Sequence, residues 1–262
     1  VANAADTFTL SGVISGVGYG VTIGGSGTIV FAGSNTYSGA TTINSGTLRV
    51  SGSLANATVV SIANGATFVV DANNQVGSIA GAGAIVLNAS LTAGLNTDSS
   101  FTGVMSGVGG LTKVGNGGLT LTGANTYSGG TTLSAGTLFG GAGSMDTTVF
   151  GSGAITVASG ATLWLDRATL NNNISLAGTL QGTNGFGEIF NGQITLVGTP
   201  TIVNYYYMNL NGPVVGTGSL TKTQAGYLTL LGTNTYSGGT TINAGTIRVG
   251  NGTLTSSLGS GA

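Results

Sequence analysis

The phrase Asn-Thr-Tyr-Ser-Gly is written three times, at Asn35–Gly39, Asn125–Gly129 and Asn234–Gly238. Each copy runs on into a small residue, two threonines and an aliphatic residue: "ATTI", "GTTL" and "GTTI". A catalytic constellation has no use for three copies. A structural unit that is built repeatedly needs the same local device each time. Around the phrase, longer stretches align: Gly25–Val50, Gly115–Gly140 and Gln224–Gly250. Two of them share a lead-in, "SGVGGLTKVG" at Ser106–Gly115 and "VGTGSLTKTQ" at Val215–Gln224, with a weaker counterpart "SGVISGVGYG" at Ser11–Gly20. The repeat units thus lie near residues 25–50, 109–140 and 218–250.

Inside each unit the hydrophobic period is two. Ile29 and Phe31 alternate with Thr28 and Val30, Leu119 and Leu121 flank Thr120, and Leu48 and Val50 flank Arg49. Short alternating runs rich in Thr, Val and Ile, separated by Gly, Asn, Ser and Ala, read as strands and turns. No window carries a helical period, and 51 glycines oppose helix throughout. Charge is nearly absent, with 5 basic and 6 acidic residues in 262. Stacked coils bring equivalent residues to about 4.8 Å, where Thr, Val, Asn and Gly ladder well but like charges repel. Self-similarity and low charge together favour a solenoid over a sandwich or barrel. The expected fold is all-β, a parallel right-handed β-helix of roughly 20–25 residues per coil and about eleven to thirteen rungs. The expectation is one continuous β-solenoid over residues 1–262, a segment of a longer chain.

In the repeated phrase, Asn35, Asn125 and Asn234 suit a left-handed or Asx-turn corner. Tyr37, Tyr127 and Tyr236 bring a large apolar body with a polar tip to a corner of the core. Gly39, Gly129 and Gly238, each with its preceding serine, relieve crowding at the bend. The phrase reads as a turn module.

Other stretches invite a functional reading. "WLDR" at Trp164–Arg167 places the single tryptophan beside an opposite-charge pair; a carbohydrate platform competes there with plain packing at a coil edge and a surface ion pair of little energetic weight. "NYYYM" at Asn204–Met208 sends Tyr205 and Tyr207 to one strand face, Tyr206 and Met208 to the other. One face would then carry aromatic or thioether surface outward. Trp164, Tyr205, Tyr206 and Tyr207 are the candidate contact surface, for a glycan, a cell surface or another chain. Pro200 and Pro213 bracket the tyrosines and suggest a loop-out or irregular rung. "LNNNI" at Leu170–Ile174 is either the start of an asparagine ladder or a solvent turn. Of the acidic residues Asp6, Asp71, Asp98, Asp146, Asp166 and Glu188, the last three lie about one coil apart, so stacking could gather them. The calcium-binding nonapeptide pattern is absent and no hydrolase or lyase motif is present, so neither catalysis nor a metal is expected. Sequons stand at Asn56, Asn88, Asn173 and Asn251.

The near-neutral chain offers no electrostatic footprint for nucleic acid, and no apolar run is long enough for membrane insertion as a helix. Gly-x-Gly patterns are frequent, but none joins a strand to a helix, so no nucleotide or other cofactor is expected. Without cysteine there is no disulfide framework. The expected partners are other copies of this chain or flanking β-helix rungs.

The stretch "GGLTKVGNGGLTLTGANTYSGGTTLSAGTL" (Gly109–Leu138) and its two relatives resemble the autotransporter-associated β-strand repeat, also called the passenger-associated transport repeat. The likeness covers roughly a third of the chain. It implies a right-handed β-helical passenger or stalk region of a bacterial protein that is secreted or displayed at the outer membrane. It further implies a role in export and in supporting an adhesive tip, not in catalysis. Three function classes follow: a structural stalk or self-assembling fibre segment, an adhesin using the exposed aromatics, and, least favoured, a polysaccharide-degrading β-helix.

Overall fold

The computed structural model describes residues 3–94, 96–141, 148–183, 187–250 and 257–261. Asp146 and the Asn251 sequon lie outside the described residues. Among these residues every regular element is a strand, and every strand pairing is parallel. The chain divides into two compact units, Val1–Thr131 and Thr132–Ala262. Both are β-solenoids, with about 12 turns between them.

In the first unit, one sheet stacks Thr7–Leu10, Thr28–Phe31, Thr47–Val50, Thr67–Val70, Ala84–Leu87 and Val104–Gly107. A second stacks Val21–Ile23, Thr41–Ile43, Val59–Ile62, Ser78–Gly81, Ser99–Phe101 and Gly118–Leu121. A third begins at Asn74–Val76 and continues through Leu91–Ala93 and Leu111–Lys113. The second unit repeats the three-sheet plan, for example in Thr137–Gly140, Thr162–Leu165, Thr179–Gly182, Thr201–Val203, Leu220–Thr223 and Thr240–Ile242.

The period of two explains how these elements form a core. Register places Phe8, Ile29, Leu48 and Phe68 in one column, then Ile85 and Met105. From Leu48 onward these side chains are fully buried. Each buried aliphatic or aromatic side chain in such a column contributes about 1.5–3 kcal/mol. Outward positions also form columns. In the second unit Thr137, Thr162, Thr179, Thr201, Thr221 and Thr241 stack as one row of half-exposed or exposed hydroxyls. β-branched residues fit this pleated, half-buried surface. Coils range from 17 residues (Thr67↔Ala84) to 25 (Thr137↔Thr162). Pro200 and Pro213 do not mark an irregular rung. Thr201–Val203 and Val214–Gly216, which follow them, pair in register with their neighbours. Proline is tolerated there because each precedes its strand and surrenders no ladder donor.

The repeated phrase is not a turn. It runs extended along the side that a third strand would occupy, and it carries the same in–out alternation. Asn35 and Tyr37 are buried, while Thr36 and Ser38 are exposed, and the other copies match. Its backbone bonds to the coil before it: Thr126 and Ser128 N–H donate to the carbonyls of Met105 and Gly107, and Thr235 and Ser237 to those of Val214 and Gly216. None of the three asparagines adopts the left-handed conformation.

The glycine that closes the phrase is required by contact, not by backbone angle. A Cβ on Gly129 would lie 2.6 Å from the nitrogen of Gly110 and 2.7 Å from the oxygen of Gly109. Gly39 and Gly238 face the backbone of the preceding coil in the same way, 2.5 Å from the nitrogens of Gly20 and Ser219. Backbone cannot rotate aside as a side chain can. We expect Gly129→Ala to destabilise the first unit by about 1–3 kcal/mol, while Gly12→Ala, where a Cβ meets nothing within 4 Å, changes stability by less than about 0.5 kcal/mol. Urea unfolding of the two variants measures both; equal midpoints would remove the contact argument.

Candidate functional site

The phrase supplies three side-chain devices to its coil. The first is the asparagine. Asn35 Oδ1 accepts from the backbone N–H of Ile14 in the coil before (2.9 Å), and its Nδ2 donates to Gly33 O (3.1 Å) and to Ser53 O in the coil after (3.0 Å). Asn125 accepts from Met105 N–H at 2.7 Å, and Asn234 from Val214 N–H at 2.9 Å. A carboxamide carries the same donor and acceptor as a peptide group, so it continues the coil-to-coil ladder through a side chain. The second device is the tyrosine. Tyr37, Tyr127 and Tyr236 are at most 1% exposed, and each phenol is hydrogen-bonded to the threonine four residues on: Thr41 (2.5 Å), Thr131 (2.6 Å) and Thr240 (2.6 Å). Burial pushes the phenols of Tyr37 and Tyr127 up from their ordinary range, so they stay neutral. The third device is the contact glycine.

Asn74 repeats the asparagine role outside the phrase, accepting from Leu54 N–H at 2.9 Å. Asn172 donates to Gly151 O and Gly153 O (3.0 and 2.7 Å). The "LNNNI" stretch also starts an exposed amide ladder, Asn171–Asn191–Asn211, each step 2.8 Å. Of the sequons, Asn56, Asn88 and Asn173 are exposed.

Two charged residues sit where the ladder argument leaves no place for them. Lys113 and Lys222 occupy inward positions and are at most 1% exposed. Their register partners include Ala93 for the first, and Ile202 and Ile242 for the second, never another lysine. Lys113 Nζ donates to the carbonyls of Val114 and Gly115, both at 2.8 Å. Lys222 Nζ donates to those of Thr223 (2.5 Å), Gln224 (2.6 Å) and Ala244 (3.3 Å). Gly115 and Gln224 are both left-handed, with φ of 72° and 66°. The ammonium therefore collects the carbonyls of a left-handed corner, and at Gln224 it holds a conformation that costs a non-glycine residue about 1–2 kcal/mol. Burial lowers both lysine pKa values, opposed at Lys113 by the charge of Asp98. The sequence signal was the shared Leu-Thr-Lys of the two lead-ins.

The structure separates the candidate contact residues. Trp164 and Tyr207 lie in different sheets. Trp164 is half-buried and packs edge-on against Phe139, centroids 5.2 Å apart, with Asp166 and Arg167 3.9 Å apart nearby in sequence. Tyr205, Tyr206 and Tyr207 are all exposed, at 41, 44 and 39%, while Met208 is fully buried. Tyr206 therefore does not share a face with Met208. The strand begins only at Tyr207, and a bend at Tyr205 and Tyr206, just after the fully buried Asn204, leaves all three rings exposed. Tyr207 stacks on Tyr227 of the next coil (5.3 Å, 17°), Tyr206 meets Tyr207 edge-on (4.4 Å, 71°), and the Arg248 guanidinium lies 4.1 Å over Tyr227. Tyr207 and Tyr227 thus turn a face to each other, and Tyr227 also meets a cation.

Asp166 and Glu188 are brought together. Thr183 Oγ1 lies 2.9 Å from Asp166 Oδ1 and 3.3 Å from Glu188 Oε1, which also accepts the Thr183 N–H at 3.0 Å. One hydroxyl proton cannot serve both carboxylates at once. Glu188 is 1% exposed, and burial raises its pKa to about 7, the Thr183 bonds opposing and the Asp166 charge adding. Elsewhere Arg49 forms a two-pronged pair with Asp71, 2.9 Å at each prong, and Asn88 donates to the same carboxylate at 2.8 Å.

What these groups do chemically is hold successive coils in register. They define a parallel β-solenoid whose sides are joined by asparagine, glycine and lysine devices. Compared with known proteins, the chain carries three copies of one repeat: the passenger-associated-transport-repeat model matches residues 24–50, 111–138 and 220–249. Each match contains one Asn-Thr-Tyr-Ser-Gly phrase. Three such repeats on a β-solenoid fit a passenger segment of an autotransporter. No curated protein and no solved structure matches the chain.

The Glu188 carboxyl gives a pH dependence whose sign is fixed. Its folded pKa, about 7, lies above the ordinary 4.5, so between these values the folded chain binds more protons than the unfolded one. Its contribution is present below about pH 4.5 and lost as pH rises through 7. Between pH 5 and pH 8 the wild type should lose stability of about 2–3 kcal/mol that Glu188→Gln retains, read from urea midpoints at the two values. Parallel losses in both chains would contradict this.

Proposed function

We propose that this chain is a mechanical element, a β-solenoid spacer in the exported passenger of a bacterial surface or secreted protein. One observation carries the proposal. Both inward side chains of the thrice-repeated phrase are used on their own or a neighbouring coil, the asparagine amide on backbone and the tyrosine hydroxyl on threonine, and its closing glycine lies against the backbone of the coil before. A repeated unit whose groups are all matched internally builds length and rigidity. The solenoid and its repeats support a position outside the cell, since that is where passengers of this repeat family work.

Self-assembly of copies into a fibre is a second reading, favoured by the low charge, since stacked coils of nearly uncharged columns do not repel one another. An adhesive role would fall to Tyr205, Tyr206 and Tyr207, which are exposed, with the Tyr207 ring stacked on Tyr227.

Immunogold electron microscopy on intact source cells, with separate antibodies to residues 3–94 and 187–250, tests the spacer. Both labels should appear without permeabilisation, held off from the membrane. Label confined to permeabilised cells would overturn the proposal.

A further inference from the structure

We propose that the outward tyrosine stack is an oxidative cross-linking site, at which a peroxide-driven one-electron oxidant joins Tyr207 to Tyr227 and staples two adjacent coils covalently. The chain has no cysteine, so this is chemistry that no disulfide duplicates.

Three observations converge on these two rings. Register pairs Tyr207 directly with Tyr227 on neighbouring parallel strands, 20 residues apart in sequence. The rings are stacked with centroids 5.3 Å apart and planes 17° from parallel, so ring carbons of the two are already in contact range. Tyr207 is 39% exposed and Tyr227 half-buried, so an oxidant in solvent reaches the pair. The other tyrosines are placed differently. Tyr37, Tyr127 and Tyr236 are buried and bonded to threonine, and Tyr19 is exposed. Tyr206, edge-on to Tyr207 at 4.4 Å, extends the aromatic contact.

The step balances. Each phenol gives up one electron and its hydroxyl proton, leaving two phenoxyl radicals. These couple through the ring carbons ortho to oxygen, Cε of each ring, forming one carbon–carbon bond. The hydrogen on each coupled carbon then moves to its oxygen as aromaticity returns. Two protons and two electrons leave in all, and they convert one hydrogen peroxide to two waters. A link between coils removes freedom from the unfolded chain much as a disulfide does.

The test treats the full chain with hydrogen peroxide and a haem peroxidase. The expected product has the monomer mass less two hydrogens, shows dityrosine fluorescence, and yields on proteolysis one peptide pair joined through Tyr207 and Tyr227. Its Tm rises by about 5 °C. Tyr227→Phe keeps a stacked ring but lacks the phenolic hydrogen, and should lower the yield at least about tenfold. Tyr19→Phe should leave it unchanged. Links confined to Tyr19 or Tyr205, a dimer as the main product, no coupling where free tyrosine couples, or undiminished yield in Tyr227→Phe would each overturn the proposal.

Discussion

Everything in this structure depends on the short distance between one coil and the next. Parallel strands in register sit about 4.8 Å apart, and their backbones must hydrogen-bond along the stack. Within a strand this is simple, because side chains point in or out and never toward the neighbouring coil. Where the path bends, Cα atoms approach the backbone beside them and peptide groups rotate out of the ladder. Gly39, Gly129 and Gly238 answer the first problem by having no Cβ. Asn35, Asn125 and Asn234 answer the second, since a carboxamide presents a peptide's donor and acceptor where the backbone cannot. The repeated phrase is these two answers with a tyrosine between them to fill the space that a third strand's side chains would have filled.

The same constraint explains the sparse charge and its exceptions. A charged outward column would repeat its charge at every coil. Arg49 and Asp71 show the permitted form, opposite charges one coil apart. Lys113 and Lys222 show another, a buried ammonium enclosed by corner carbonyls with apolar register partners. Desolvation depresses their pKa values, so the bonds to corner carbonyls offset a real cost. Glu188 is the acidic counterpart, beside Asp166 and sharing Thr183 with it.

Period, repetition and low charge made the class of fold legible in the sequence, because each is a direct consequence of stacking. The alternation in Thr47–Val50 or Leu119–Leu121 needs only the strand's period of two. The repeated phrase was harder. Asn followed by a polar run and glycine has turn chemistry, and only the burial of Asn35 and Tyr37 against exposed Thr36 and Ser38 shows an extended side. The buried lysines were present as Leu-Thr-Lys, with lysine at an inward step of the alternation. Only the corner carbonyls of Val114, Gly115, Thr223 and Gln224, which the period does not show, make room for an ammonium there. The tyrosine row depended on where one strand starts, and a shift of one residue at Tyr206 changed its face. The meeting of Asp166 with Glu188 depended on coil length, which varies here from 17 to 25 residues and is not fixed by composition.

Amide hydrogen exchange at Met105 and Val214 tests most directly whether asparagine side chains carry the ladder across the repeated phrase. Each N–H donates to a carboxamide, not to a backbone carbonyl. These amides should exchange as slowly as those of Leu91 and Ile194, which donate to the carbonyls of Gly110 and Pro213, and Asn125→Ala should expose Met105 while leaving Leu91 protected. Exchange at Met105 and Val214 at the rate of an open loop in the wild-type chain would contradict the account.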